Sequence, residues 1–232
     1  MKRSLAIFVL LALTFAINAC DSNSEVGTMT DSRDGQTYKT VKIGNQVWMA
    51  ENLNFKTDSS WCYDDNPDKC KEYGRLYAWN AAMKACPAGW HLPSKKEFEI
   101  LISVAGGEAT AGLKLKSASG WYIDDERNGN GEDAYSFAVL PAGGRTDGGD
   151  YGEASIYMSF FTSTEKDSYS AYVLTFGFDM DKVDMGGASF SIARPATPST
   201  SVMAISLNWF CKVGSYSMSV GLPLKRWSSS FR

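Results

Sequence analysis

The sequence is poor in histidine and has no concentrated basic region. It contains a single histidine, His91, and the spacings of its cysteines do not match those of zinc sites. No stripe of lysine and arginine is present, which argues against nucleic acid as a partner. If the two basic residues at the N-terminus are cleaved off with a signal peptide, 21 of the 23 basic residues remain against 26 acidic ones, a net charge of −5. A zinc protein and a nucleic-acid-binding protein are therefore both disfavoured.

Beyond its N-terminus, the sequence has no apolar run that approaches the roughly 20 residues of a membrane span. The N-terminus itself has two basic residues followed by an apolar stretch from Leu5 to Ile17, which is also too short to span a bilayer. This pattern predicts a signal peptide over residues 1–19. Ala19 followed by Cys20 resembles the end of a bacterial lipobox, so Cys20 is the predicted site of lipid attachment.

The predicted product is an exported lipoprotein that is anchored in the bacterial cell envelope, at the outer membrane or the cell surface. Its first partner is then the lipid bilayer, which it contacts through the acylated N-terminus; several acyl chains are needed for stable anchoring. The alternative is an ordinary signal peptide cleaved nearby, which would leave a soluble secreted protein.

The four cysteines other than Cys20 are expected to form disulfides, because an exported protein meets an oxidising environment. Four cysteines allow three pairings. Cys62 and Cys70 flank a turn-rich segment that can close a small loop, so this pair is the preferred one. Cys86 and Cys211 remain for the second pair, whose formation the sequence leaves open.

The residue patterns predict an α+β domain. Residues 20–35 are polar and read as a flexible tether, and the folded part begins near Thr37 with a β-hairpin around Gly44-Asn45. Two early helices follow, over 72–85 and from about 95 to 105. Later segments rich in β-branched and aromatic residues predict a mostly antiparallel, loop-rich sheet. These segments are 135–141, 158–164, 170–177 and 182–192.

Five blocks in the right order resemble the Fibrobacter succinogenes major paralogous domain. They are 39–54 (KTVKIGNQVWMAENLN), 73–79 (YGRLYAW), 86–93 (CPAGWHLP), 137–145 (FAVLPAGGR) and 159–165 (SFFTSTE). The domain is accordingly placed at residues 36–192. The family is similar to C-type-lectin-like domains and to formylglycine-generating enzymes, so the resemblance implies a C-type-lectin-like fold. It implies no molecular function, because the family has none assigned.

The active residues of these two related groups cannot be transferred to this sequence. It lacks the reactive cysteine pair of the formylglycine-generating enzymes in a matching context, and it lacks the Glu-Pro-Asn and Trp-Asn-Asp signatures of sugar-binding C-type lectins. An enzyme of the formylglycine-generating type is therefore an unfavoured alternative, and no catalytic residue is predicted.

The C-terminal segment 193–232 departs from the family. The resemblance implies a last strand of the form Phe-Ser-Val-Arg-Cys close to the chain end, whereas Phe190-Ser191-Ile192 is followed by Ala193-Arg194-Pro195, with no cysteine at that place. One hypothesis is a reading-frame shift just after Ile192, which would deprive Cys86 of its partner and make Cys211 an accidental substitute. The alternative is a genuine extension in which Cys86 and Cys211 form a replacement bridge.

A polar run between residues 124 and 133 is the only candidate cation site in the sequence. Oxygen ligands clustered on a glycine-rich loop suit Ca²⁺, although the spacing does not match an EF-hand. The alternative is a solvated acidic turn. No other cofactor is predicted. The candidate ligands are Asp124, Asp125, Asn128, Asn130 and Asp133.

Two aromatic residues beside polar loops, Trp121 and Tyr151, are the candidate ligand-binding surface. Aromatic faces pack against the CH faces of sugar rings while polar groups fix the orientation. His91 is expected to have a structural hydrogen-bonding role, because a lone histidine without an acid and a nucleophile is weak support for catalysis.

The leading functional hypothesis is a non-enzymatic binding or adhesion module that recognises a polysaccharide. The rival hypothesis is a structural or protein-interaction component of the cell envelope. Fold-level analogy alone supports the polysaccharide hypothesis, and such analogy does not by itself establish function.

Overall fold

The computed structural model describes residues 25–189 and 211–213. The predicted signal peptide and lipid-attachment site at Cys20 lie outside the described residues. Within the described ranges there are four α-helices and predominantly antiparallel sheets, so the predicted α+β class is confirmed. No helix of these ranges combines the length and the apolar character that crossing a membrane would require.

A five-stranded antiparallel sheet brings the two ends of the described chain together. Its strands, in spatial order, are β1 (Glu25–Thr30), β2 (Thr37–Ile43), β3 (Gln46–Met49), β12 (Lys212–Val213) and β6 (Trp90–His91). The predicted hairpin is confirmed as β2 and β3. The turn between these strands uses a glycine with a φ of +59°, a conformation that glycine adopts without steric cost.

The prediction of a flexible tether up to residue 35 is wrong from residue 25 onward. β1 pairs with β2 along its whole length, from Glu25 opposite Lys42 to Thr30 opposite Thr37. In the connecting turn, Asp31 is fully buried and accepts hydrogen bonds from the guanidinium of Arg33. Polar composition misleads here because a strand at a sheet edge is held by backbone hydrogen bonds, which need no apolar side chains.

The segment 72–85, which was predicted as one helix, contains the end of one helix and the whole of another. α1 (Pro67–Tyr73) ends at Gly74, whose φ is +71°, and α2 (Trp79–Ala85) begins only after a short strand, β5 (Leu76–Tyr77). A Cβ at Gly74 would lie 2.6 Å from the Cβ of Asn52. The glycine therefore ends the helix and allows close packing against the chain that follows β3.

The second predicted helix is confirmed as α3 (Lys95–Val104). Its N-terminus carries the expected capping box, in which Ser94 and Glu97 each bind the other's backbone N–H. A further helix, α4 (Glu108–Leu115), follows after two glycines and was not predicted from the sequence.

The later part of the chain forms one three-stranded sheet and one hairpin. β9 (Tyr157–Asp167), β10 (Ser170–Gly177) and β11 (Asp184–Ser189) pair antiparallel, close to three of the predicted segments. The fourth predicted segment, 135–141, is not a strand. The hairpin that follows it consists of β7 (Ala142–Arg145) and β8 (Tyr151–Ala154).

One hydrophobic core lies between these sheets and helices. Trp48 from the first sheet packs against Phe98 of α3 and Phe137, with ring centroids 5.3 and 5.8 Å apart. Phe98 in turn stacks with Phe160 of β9, whose ring meets Phe176 of β10. These ring contacts connect the five-stranded sheet, through α3, to the sheet that contains β9 and β10.

Two disulfides are formed, Cys62–Cys70 and Cys86–Cys211. The first confirms the preferred pairing. In the second, Cys211 is fully buried and directly precedes β12, which lies between β3 and β6. Cys211 therefore lies within the sheet as the partner of Cys86, as the alternative of a genuine extension expects, and the frame shift stays a hypothesis. The remainder of 193–232 lies outside the described residues.

Candidate functional site

The two aromatic residues predicted to line a binding surface lie in different environments. Trp121 is only 3% exposed, and its indole N–H donates to Ser117 Oγ and to the Val139 carbonyl, each at 3.1 Å. The prediction that Trp121 lies at the surface is wrong, because its N–H finds acceptors in the core, one of them 18 residues away at Val139. Tyr151 is partly exposed and belongs to a cluster of aromatic and charged side chains.

The β7–β8 hairpin positions two members of this cluster. Arg145 and Tyr151 are directly opposite each other in the antiparallel register, so their side chains lie on the same face. The Arg145 guanidinium lies 5.5 Å from the centre of the Tyr151 ring. The strands can approach closely because Gly143 has no side chain: a Cβ there would lie 2.3 Å from the Gly152 carbonyl oxygen.

The remaining members come from the segment around the first disulfide. Trp61 ends β4 (Ser60–Trp61), and Tyr63 begins a 3₁₀ turn that ends at Asp65. The Arg145 guanidinium lies 4.4 Å from the centre of the Trp61 ring, within cation–π range. We call Trp61, Tyr63, Asp65, Arg145 and Tyr151 the aromatic cluster.

Hydrogen bonds and ring contacts fix the aromatic cluster. The Tyr151 hydroxyl donates to Asp65 Oδ1 at 2.6 Å, and the Tyr63 and Tyr151 rings are 5.4 Å apart. Burial and the bond to Asp65 raise the pKa of Tyr151. Burial likewise raises the pKa of Tyr63. Both phenols therefore remain neutral hydrogen-bonding groups at physiological pH, beside one cation and one carboxylate.

Backbone strain is concentrated in the segments that carry the aromatic cluster. Of the eight non-glycine residues with positive φ in the described ranges, five lie there. Such conformations cost of the order of 1–3 kcal/mol each and gather at functional sites. These five are Ser59, Asp64, Asp65, Glu153 and Ser155.

Four of the five predicted calcium ligands accept hydrogen bonds from backbone N–H groups. Asp124 Oδ1 accepts from Glu126 and Arg127, and Asn128 Oδ1 accepts from Asn130. The amide oxygen of Asn130 binds the N–H of Trp121, and Asp133 binds that of Ala138.

Asp125 is exposed. In the described part of the chain, no three His, Cys, Asp or Glu residues are placed to hold a metal ion. The geometry matches the solvated-turn alternative for this loop.

His91 binds a carboxylate and not a nucleophile. Its Nε2 lies 3.0 Å from Glu97 Oε1, and Ser94 Oγ donates to the other oxygen of the same carboxylate. A catalytic triad would instead place the histidine between the hydroxyl and the acid. The arrangement links β6 to the start of α3.

The residue pattern did not single out Arg145, Tyr63 or Asp65. The β7–β8 register places Arg145 opposite Tyr151. The packing of the 3₁₀ turn against β7 then brings in Tyr63 and Asp65, which lie 80 or more residues earlier in the chain. The only local signal was the Gly-Gly-Arg sequence at 143–145, because adjacent glycines often accompany close strand approach.

Two comparisons with known proteins found nothing, and one found a family. The family model of the Fibrobacter succinogenes major domain matches residues 41–194, which is more than half of the chain. No curated protein and no solved structure matches the chain.

Proposed function

This chain belongs to the Fibrobacter succinogenes major domain family, and we propose that it is a non-enzymatic binding module that holds polysaccharide on its aromatic cluster. The observation that carries the proposal is the grouping of Trp61, Tyr63 and Tyr151 around Arg145. All four side chains are partly exposed, and fixed hydrogen bonds hold the group in place.

The chemistry of the aromatic cluster suits a sugar chain. The aromatic rings supply apolar faces for the CH groups of pyranose rings. The Arg145 guanidinium and the Asp65 carboxylate supply a donor and an acceptor for the hydroxyl groups. The Cys62–Cys70 disulfide and the β7–β8 pairing hold these groups in place before binding. Little side-chain entropy is therefore lost when a ligand binds.

We predict that Tyr151→Ala weakens binding to an insoluble polysaccharide about tenfold, since loss of one ordered aromatic contact is worth roughly 1–2 kcal/mol. The measurement is depletion of the full-length protein from solution by microcrystalline cellulose and by chitin at a series of protein concentrations. Tyr151→Phe should bind more tightly than Tyr151→Ala, because it keeps the ring and loses only the hydrogen bond to Asp65.

The matched control is Tyr169→Ala. Tyr169 is 64% exposed in the β9–β10 turn and makes no ring contact with the aromatic cluster. Equal weakening by the two alanine variants would contradict the proposal. If neither cellulose nor chitin removed the wild-type protein from solution, the proposal would also be contradicted. An envelope protein would then be favoured as the partner.

We also propose that the protein is anchored to the cell envelope through lipid at Cys20. The support is the short apolar stretch followed by Ala19-Cys20. Cys20→Ser should move the protein from the membrane fraction to the soluble fraction, because the acyl chains at that residue supply the attachment to the bilayer. Immunoblots of fractionated cells test this, and unchanged partition of the variant would refute it.

We propose finally that the α+β domain is a branch of the C-type-lectin-like fold. In that fold, a cysteine after the first helical region often pairs with one on the last strand. The Cys86–Cys211 bridge joins the end of α2 to the start of β12 and is consistent with such a pairing. An experimental structure that superposes on no lectin-like domain would refute the assignment.

A further inference from the structure

A cleft of about 520 Å³ is lined by none of the residues of the aromatic cluster. Its walls come from three stretches of chain: residues 36–39 at the start of β2, residues 50–54 after β3, and residues 70–74 at the end of α1. Ala138 and Leu140 complete it. Its volume falls in the range of sites that bind small molecules.

Hydrogen bonds between the walls fix the shape of the cleft. Asn52 Nδ2 donates to the Tyr73 carbonyl at 2.8 Å, and the Asn54 N–H donates to the Tyr38 hydroxyl at 3.1 Å. Gln36 Nε2 donates to the Asn54 carbonyl at 3.3 Å. These bonds connect all three stretches, so the cleft is formed before a ligand binds.

The charges of the cleft are balanced. Two lysines and two glutamates line it, and each has a partner of opposite charge. Lys39 pairs with Glu51 at 3.4 Å, Lys71 pairs with Asp68 at 2.8 Å, and Glu72 pairs with Lys69 at 2.7 Å. A charged ligand would have to compete with these pairs, so the lining favours an uncharged molecule.

The other lining groups are amides and tyrosines. Asn52, Tyr38 and Tyr73 are 7%, 4% and 8% exposed, and the side chains of Gln36 and Asn54 add further amides. Asn52 Oδ1 has no hydrogen-bond partner among the described residues. That oxygen is itself shielded from solvent, so a bound molecule would reach the partly exposed amides of Gln36 and Asn54 and not Asn52 Oδ1.

We infer that this cleft is a second binding site, which takes a small uncharged polyhydroxyl molecule: a free monosaccharide or the terminal sugar of a glycan chain. The amides of Gln36 and Asn54 donate to and accept from hydroxyls at once, and the buried edges of Tyr38 and Tyr73 complete an uncharged lining. The inference stands on the cleft and does not require the aromatic cluster to bind polysaccharide.

The test uses Asn54→Leu, which removes the amide at nearly constant volume. Both hydrogen bonds of Asn54 that tie the walls use its backbone, so the variant keeps them. A second variant, Leu140→Trp, fills the cleft. Asn80→Leu on α2 is the matched control, because Asn80 is exposed and does not line the cleft.

The probes are glucose, N-acetylglucosamine and cellobiose, with glucuronate and glucosamine as the charged comparisons. Saturation-transfer NMR on the full-length protein should show magnetisation reaching the sugars. In a Trp61→Ala background, which removes a ring of the aromatic cluster, the transfer should fall at least fivefold on adding Asn54→Leu or Leu140→Trp, and should be unchanged on adding Asn80→Leu. Thermal melting establishes that each variant is folded.

Equal affinity for glucose and cellobiose would identify a free sugar as the ligand, and at least tenfold tighter binding of cellobiose would identify a chain end. Absence of transfer to every sugar would overturn the inference, and so would transfer that both cleft variants retain. Loss of transfer in Trp61→Ala with retention in Asn54→Leu would assign the binding to the aromatic cluster and not to the cleft.

Discussion

Replacing Cys86 and Cys211 together by serine is expected to lower the free energy of unfolding by about 5 kcal/mol. The bridge joins residues 125 positions apart, and closing a loop of that length removes a large entropy from the unfolded chain. The bridge also fixes β12 between β3 and β6. Without it, that strand would be held mainly by its short backbone pairing and by one ion pair.

Urea unfolding of the full-length protein measures this effect, and Cys62→Ser/Cys70→Ser is the matched control. That bridge has a sequence separation of only 8, so the same entropy argument gives a loss of about 2.5 kcal/mol. If the 86–211 variant were no less stable than the wild-type protein, Cys211 would be dispensable, as the frame-shift hypothesis requires.

The second large effect is expected at Glu97, whose carboxylate joins α3, β6 and β12. It accepts hydrogen bonds from Lys212 Nζ at 2.7 Å and from the Ser94 N–H at 2.7 Å, and it contacts His91. Burial alone would raise the pKa of Glu97, but these hydrogen bonds outweigh burial and lower the pKa from 4.5 to about 2. The charged form is therefore the one that the fold stabilises.

The consequence is a stability that depends on pH in a definite direction. A depressed pKa in the folded state means that the contribution is fully present above pH 4.5 and is lost as the pH falls from about 4.5 to about 2. A shift of this size corresponds to about 3 kcal/mol.

We expect Glu97→Gln to cost about 3 kcal/mol at pH 7, because it leaves the ammonium group of Lys212 buried without its carboxylate. The variant should also lose most of the acid dependence between pH 4.5 and 2.

Chemical denaturation at pH 7, 4 and 2.5 measures both effects. Glu99→Gln is the control, since Glu99 lies on the same helix but forms only an exposed pair with Lys95; it should cost less than 1 kcal/mol. Glu97→Gln/Lys212→Met should recover part of the lost stability, because it removes the unpaired charge. A pH profile of Glu97→Gln that parallels the wild-type profile would show that other carboxylates dominate acid unfolding.

Features specified by neighbouring residues were predictable from the sequence. The capping box at Ser94 and Glu97, the hairpin around Gly44 and the Cys62–Cys70 bridge each involve residues within a short stretch of chain. Their geometry follows from local dihedral preferences and short loops, so the residue pattern is sufficient. The family was also evident from the sequence, because its motif blocks are local.

Features decided by long-range packing were not predictable. The sequence places Trp121 beside polar residues, yet the hydrogen bond from its indole to the Val139 carbonyl lets it enter the core. Residues 25–30 look disordered by composition, yet they pair with β2 at the sheet edge. In each case the deciding partner is distant in sequence, and a pattern read along the chain cannot identify it.

The candidate site shows the same division. The sequence alone established an aromatic, weakly acidic domain with a single histidine, and it pointed to Tyr151. Only the tertiary structure showed that Tyr151 contacts Asp65 and Arg145. It also showed that a predicted calcium ligand, Asp124, accepts a backbone hydrogen bond within its own turn. The physical reason is that a binding surface requires side chains from several segments to meet, and their meeting depends on strand register and loop packing.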